Sequence, residues 1–263
     1  MADRVHLSAN PTNVGSCVGL AVAYDLGVEL MHFALPSVLD GDWRKTLDEL
    51  LPLVRPLRGR LAVHGAFMDM APGSPDARVS ALTHERYCHA MDIAAELGAS
   101  TVIFHANFIA SIRTGEYRKG WHDRSVRFWE HTARYAEDRG IMIAIENMWE
   151  FDPRIICDVL SEVDHPNLRA CLDVGHAHLF SDIPFDGWLA VIEPWLVHTH
   201  LNNNDGQVDV HRGLDDGVMD YGRILPMLRG LATPPSFTLE MDRVSDMRAS
   251  LKHFQFAAEL AVR

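Results

Sequence analysis

Short apolar runs alternate along this chain with longer stretches in which apolar residues recur every three to four positions. The runs fall at Val5–Ser8, Val28–Leu35, Arg60–Phe67, Thr101–Phe108, Ile141–Met148, Leu168–Val174, Leu196–Leu201 and Ser236–Met241. Each is rich in Val, Ile, Leu or Phe and bounded by Gly, Pro or polar residues, which predicts a buried strand. Between them, Val79–Leu97 and Arg124–Arg139 carry helical spacing and stop at Gly98 and Gly140, just before the next strand. A last helix is predicted near Ser245–Leu260. Strand starts recur about every 33 residues, the length of one βα unit. Eight such units predict a single-domain α/β fold over residues 1–263, a closed (β/α)8 TIM barrel. The competing open doubly wound sheet would carry GxGxxG or GxxxxGK[ST] after an early strand, and neither is present.

Composition narrows the class. Hydrophobic residues make up 48% of the 263, enough for a large core. The formal charge of −12 disfavours a general basic surface for nucleic acid, although a local groove is compatible with it. No run approaches the roughly 18 apolar residues that a membrane span needs. The four cysteines (Cys17, Cys88, Cys157, Cys171) form no CxxC pair, so neither a disulfide framework nor a thiolate zinc site is indicated. The expectation is a reduced, cytoplasmic protein. The 15 histidines call for another explanation.

In a barrel, chemistry sits where the strands end, at the carboxyl face. The third run ends LAVHGAF, placing His64 near its tip, and the fourth, TVIFHANF, places His105 there. The fifth ends with Glu146 and Asn147, and the sixth, ACLDVGHAH, offers Asp173 and His176. The seventh offers His200, followed in its loop by Asp209 and His211, and the eighth ends with Glu240. Taken singly, a strand-end histidine is more often structural than a ligand. His32, His178 and His198 are left under that reading, with His198 one layer below His200 on the same strand face. Taken together, buried carboxylates converging on one mouth would repel and be pushed to protonate unless divalent cations neutralised them. Imidazole and carboxylate donors without thiolate suit manganese, zinc, cobalt or iron. Phe67, Phe108 and Trp149, just past strand ends, are candidates for the pocket wall, and Arg212 for a substrate phosphate or carboxylate.

At these residues the chain resembles the xylose isomerase-like TIM barrels, a superfamily of sugar isomerases and epimerases that also includes endonuclease IV. The resemblance is strongest from about residue 60 to residue 241. In the one-metal sugar enzymes, Glu, Asp, His and Glu from strands five to eight hold the ion. Glu146 in IENM, Asp173 in CLDVGHAH, His200 in HTHLNNND and Glu240 in FTLEM match that set. The resemblance implies that Glu146 and Glu240 also exchange the substrate proton and that His176 contacts the sugar. Endonuclease IV holds three metals, and His64, His105, His176, Asp209 and His211 match its further ligands. The implied function is a divalent-metal-dependent isomerase or epimerase of a sugar, sugar phosphate or keto-polyol, using one to three ions. The alternative is a multi-metal phosphodiesterase acting on abasic DNA or another phosphate ester. Against it stand an opening, VHLSANPTNVGSCVG, that departs from the endonuclease's glycine-rich start, and a Met68–Arg78 segment with little basic character. A small carbohydrate is the expected partner, with nucleic acid disfavoured and no membrane. A homo-oligomer is compatible with such barrels, though no pattern in the chain specifies one.

Overall fold

The structure, a computed structural model, describes residues 3–57 and 60–254. Eight parallel strands close into one barrel in chain order: β1 (Val5–Ala9), β2 (Gly27–Leu30), β3 (Leu61–His64), β4 (Thr101–His105), β5 (Met142–Glu146), β6 (Leu168–Asp173), β7 (Leu196–Leu201) and β8 (Ser236–Leu239). Each strand pairs with the next, and β8 pairs with β1. The predicted TIM barrel is the observed fold.

Side-chain alternation explains where everything else goes. Successive residues of a strand point to opposite faces. Leu7, Val28, Leu30, Val63, Phe104, Ile145, Leu172 and Leu239 point outward and join one large core with the surrounding helices. Their neighbours point inward. Ala62, Ile103, Ala144 and Cys171 form a separate small apolar cluster inside the barrel. One pleat above them, at the carboxyl ends, stand His64, His105, Glu146 and Asp173.

Several strands end two or three residues short of the expected runs, and three elements differ more. β2 ends at Leu30 instead of Leu35, because His32–Ala34 form a single 3-10 turn and Pro36 opens the next helix. The helix expected from Arg124 starts at Gly115, where the Thr114 side chain accepts the Tyr117 N–H and caps it. It therefore occupies part of what reads as a long loop after β4. The last helix covers Val244–Ser250, followed by a 3-10 turn to His253, and the rest of the predicted element lies outside the described residues. Gly98 ends the Ala77–Leu97 helix with φ 73°, the left-handed conformation that favours glycine.

Candidate metal centre

Among the described residues, Glu29 with His64 and His200, and Cys171 with Glu146 and His200, bring donor atoms within 4.8 Å of one another. The barrel mouth gathers its imidazoles and carboxylates into three further groups of that kind. The first is His64, His105 and Glu146; the second is Glu146, Asp173, His200 and Glu240; the third is His176, Asp209 and His211. Glu146 belongs to two of them. Its Oε2 lies 3.0 Å from His105 Nε2 and 3.3 Å from His64 Nε2, and its Oε1 lies 3.1 Å from His200 Nδ1. Glu240 Oε2 lies 3.2 Å from the same His200 nitrogen. Among the described residues, no lysine or arginine forms an ion pair with these carboxylates.

Local chain geometry places the donors. Sheet register sets His105 beside Glu146 and Asp173 beside His200 on adjacent strands. Asp173 also caps the helix Val174–Phe180: its Oδ1 accepts the His176 N–H at 2.6 Å. A single capping turn thus fixes the DVGH spacing. Gly175 lies inside that turn, and a Cβ there would meet Asn202 Oδ1 at 2.1 Å. Asn202 needs that space, since its amide donates to Asp173 Oδ2 at 3.0 Å. Main-chain carbonyls orient two of the rings. His64 Nδ1 lies 3.0 Å from Gly65 O and His176 Nδ1 lies 3.0 Å from Asn147 O. A carbonyl only accepts, so in the neutral ring each Nε2 keeps its lone pair for the mouth. Asp209 and His211 sit two apart in the loop after β7, 3.4 Å from each other, and Asp209 reaches His176 Nε2 at 3.3 Å.

The electrostatics suit cations. Burial pushes Asp173 up to about 6, with Glu240 and Glu146 adding to it against His176. Burial would also raise Glu146, but the His200 and His105 imidazoles hold it well below the ordinary carboxylate range. Burial would lower His200 and His176, yet their anionic neighbours raise both well above the usual imidazole value. Without a cation, imidazolium is what neutralises the carboxylates. His200 Nδ1, His176 Nε2 and Glu240 Oε2 are buried and lie 3.1–3.3 Å from imidazole or carboxylate neighbours, without the geometry of a hydrogen bond. Unpaired donors and acceptors aimed into one volume, with this nitrogen and oxygen set, fit one or more divalent ions.

Several expected residues stand elsewhere. Asn147 does not face the mouth: its buried side chain accepts the Asp173 N–H at 2.9 Å and donates to Asp173 O at 3.0 Å, clamping β5 to β6. Phe108 does not wall a pocket either; it is buried against Tyr117, Trp121 and Phe151. Phe67 lies at the mouth, its ring centroid 4.8 Å from that of His105, and Trp149 is 43% exposed on the β5 loop. Arg212 is half-engaged, 3.5 Å from Asp205. His198 lies below His200 as expected, and His178 is exposed. Sequence reasoning missed Glu150, which accepts the Phe108 and Met148 amides and ties the β4 and β5 loops together. It also missed Glu29, fully buried inside the barrel on β2. The run V-E-L held the signal, since outward Val28 and Leu30 force the residue between them inward.

Fold and donor ring together define a (β/α)8 barrel with groups of possible metal-binding residues at its carboxyl face. Residues 20–257 match the family described as xylose isomerase-like TIM barrel, and the chain belongs to it. Among solved structures it is similar to the TTHB071 protein of Thermus thermophilus, whose crystals were soaked with zinc chloride. That protein is 31% identical, with 94% of this chain and 95% of that one covered at a TM-score of 0.75. A D-tagatose 3-epimerase-like protein shares the fold at 22% identity, with 95% and 94% covered and a TM-score of 0.76. A D-allulose 3-epimerase from Methylomonas shares it at 19% identity, with 90% and 83% covered and a TM-score of 0.70. An uncharacterised protein of Methanocaldococcus jannaschii, MJ1311, is 26% identical over 231 residues, 85% of this chain and 76% of that protein.

Proposed function

We propose that the protein is a divalent-metal-dependent isomerase or epimerase acting on a sugar, sugar phosphate or keto-polyol. The observation that carries this reading is the buried set Glu146, Asp173, His200 and Glu240 at the ends of four consecutive strands, with both glutamates within 3.2 Å of one His200 nitrogen. A bound divalent ion supplies Lewis-acid stabilisation for negative charge on a substrate oxygen. Asp173 and His200 serve as holding residues. One glutamate takes the proton from the carbon beside the substrate carbonyl, leaving an enediolate. The other, protonated, returns a proton to the opposite face, or to the former carbonyl carbon while the hydroxyl proton passes to the former carbonyl oxygen, and the two carboxyl groups end with exchanged protonation. Glu240 is the freer of the pair, because both Glu146 oxygens already face imidazoles. Phe67 and Trp149 would shield the reacting carbon from water. The test is incubation of ketoses and their phosphates with the protein in deuterium oxide. Deuterium should appear at the carbon beside the carbonyl, and Glu240→Gln should stop it. Incorporation at the wild-type rate in that variant would end this assignment.

A second reading, a multi-metal phosphoric ester hydrolase, has its own supporting observation. Each oxygen of Glu146 faces a different donor group, and the His176 ring, whose Nε2 belongs to the third group, has its Nδ1 3.5 Å from Glu146 Oε1. Nine donors exceed the four that a single zinc-type ion takes. Metal analysis separates the two: one firmly bound ion per chain fits the isomerase, three fit the hydrolase. Cleavage of an abasic-site oligonucleotide or a phosphomonoester would reverse their order.

A further inference from the structure

Beneath the donor ring lies a second buried polar layer. Glu29 on β2 reaches across the barrel interior to β7 and β8. Its Oε2 accepts the Thr238 hydroxyl at 2.6 Å and lies 3.1 Å from His198 Nε2 and 3.2 Å from His200 Nε2, while its Oε1, 3.1 Å from the same His200 nitrogen, makes no hydrogen bond of good geometry. His198 is held in turn, with Nε2 2.8 Å from Thr238 Oγ1 and Nδ1 2.6 Å from Ser236 Oγ. Glu29 is wholly buried and, among the described residues, has no arginine or lysine partner. A carboxylate in such a place is costly unless donors satisfy it, and the neighbouring half of the interior is filled by Ala62, Ile103, Ala144 and Cys171 without that penalty. A fold that needed only filling here would use apolar side chains.

We propose that Glu29 is a positioning residue that holds the His200 ring from below, so that Nδ1 faces the metal centre. The inference rests on the reading of His200 as a metal ligand. An ionised carboxylate only accepts hydrogen bonds, so a ring nitrogen beside it carries the proton. With the proton on Nε2, the His200 lone pair sits on Nδ1, the atom 3.1 Å from Glu146 and 3.2 Å from Glu240. His64 and His176 receive the same service from main-chain carbonyls. His200 alone among these three is served by a charged side chain from across the barrel, and a carboxylate partner makes its imidazole the more basic donor. Thr238 and His198 keep Glu29 in place, which gives both a role that no ligand pattern suggests.

The test is zinc titration of metal-free protein, with bound zinc counted per chain, beside a long-range proton–nitrogen spectrum of the zinc-loaded histidines. Glu29→Leu should weaken the tight site about 10- to 100-fold and remove a slowly exchanging His200 Nε2–H signal. Glu29→Gln should recover affinity to within a few-fold and keep that signal, because its amide oxygen still accepts from Nε2. If Glu29→Leu does not fold, Thr238→Val carries the test with a few-fold loss of zinc affinity. Wild-type affinity in Glu29→Leu, or in Thr238→Val where that variant stands in, overturns the proposal. So does the loss of a whole zinc equivalent in Glu29→Gln, which would make Glu29 a ligand itself. His200→Ala separates the two levels: wild-type zinc binding in that variant defeats the metal-centre reading, whatever Glu29 does.

Discussion

The interior of the barrel is lined differently on its two sides. Under β3 to β6 it is apolar: Ala62, Ile103, Ala144 and Cys171, all buried. Under β7, β8, β1 and β2 it is polar: His198, Thr238, His6 and Glu29. The first side stabilises the fold by burial alone. The second buries polar groups, of which His6 Nδ1 and Glu29 Oε1 have no hydrogen-bond partner, and His6 is held neutral, lowered to about 3 mainly by burial and by its neighbour His198. Both sides carry donors above them, so the ring does not require a polar foundation everywhere. The polar side lies under His200, whose Nδ1 is shared by both glutamates. One half of the interior therefore serves packing and the other serves the orientation of groups above it.

Four experiments test that division, from the largest expected effect to the smallest. Glu146→Gln, above the apolar side, should reduce substrate deuterium exchange by about 10²- to 10⁴-fold, the usual share of a general acid or base. Near-wild-type exchange would show that Glu146 only holds charge. Next, stripping divalent ions with a chelator should lower the melting temperature. An ion present at a hundredfold excess over its Kd adds about 2.7 kcal/mol, which is about 5–10 °C for a domain of this size. A melting curve indifferent to chelator would mean that the mouth holds no ion tightly. Third, Ala144→Leu should overpack the apolar side and cost about 1–3 kcal/mol while leaving the number of bound ions unchanged. If it alters ion number instead, the two sides are not separable.

The smallest effect concerns pH. Burial pulls the His211 imidazole down, but Glu240, Asp209 and Asp173 override it and raise it from 6.5 to about 9. A folded value above the unfolded one means that protonation favours the folded state. That stability is complete below about pH 6.5 and is lost as pH climbs through about 9. Metal-free protein should melt progressively lower across that window, and His211→Gln should flatten the decline. A profile unaltered by the substitution would remove His211 from the balance.

Much of this was legible in the chain, for one reason: period-two alternation ties a strand's apolar pattern to the direction of its last polar residue. That is why His64, His105, Glu146, Asp173, His200 and Glu240 could be placed at one mouth from the chain alone. The same rule, pressed one residue further, accounts for Asn147, which follows an inward glutamate and so points to the neighbouring strand. Phe108 escaped because Asn107 adopts φ 54°, reversing the chain just before it and sending its ring into the core. Glu29 escaped because the apolar run continues to Leu35, well past the true strand end, so that the strand tip reads as lying near His32 or beyond. Nothing along the sequence announces that β2 faces β7 across the interior, since that contact exists only once the barrel closes.

Closure has a consequence in time. The three residues of the His64–His105–Glu146 group all lie on strands no later than β5. The group built on His200 and Glu240 is incomplete until β8 emerges and seats between β7 and β1. If the proposed metal centre is filled, an ion that prefers the complete set would favour that last pairing step and couple metal binding to ring closure.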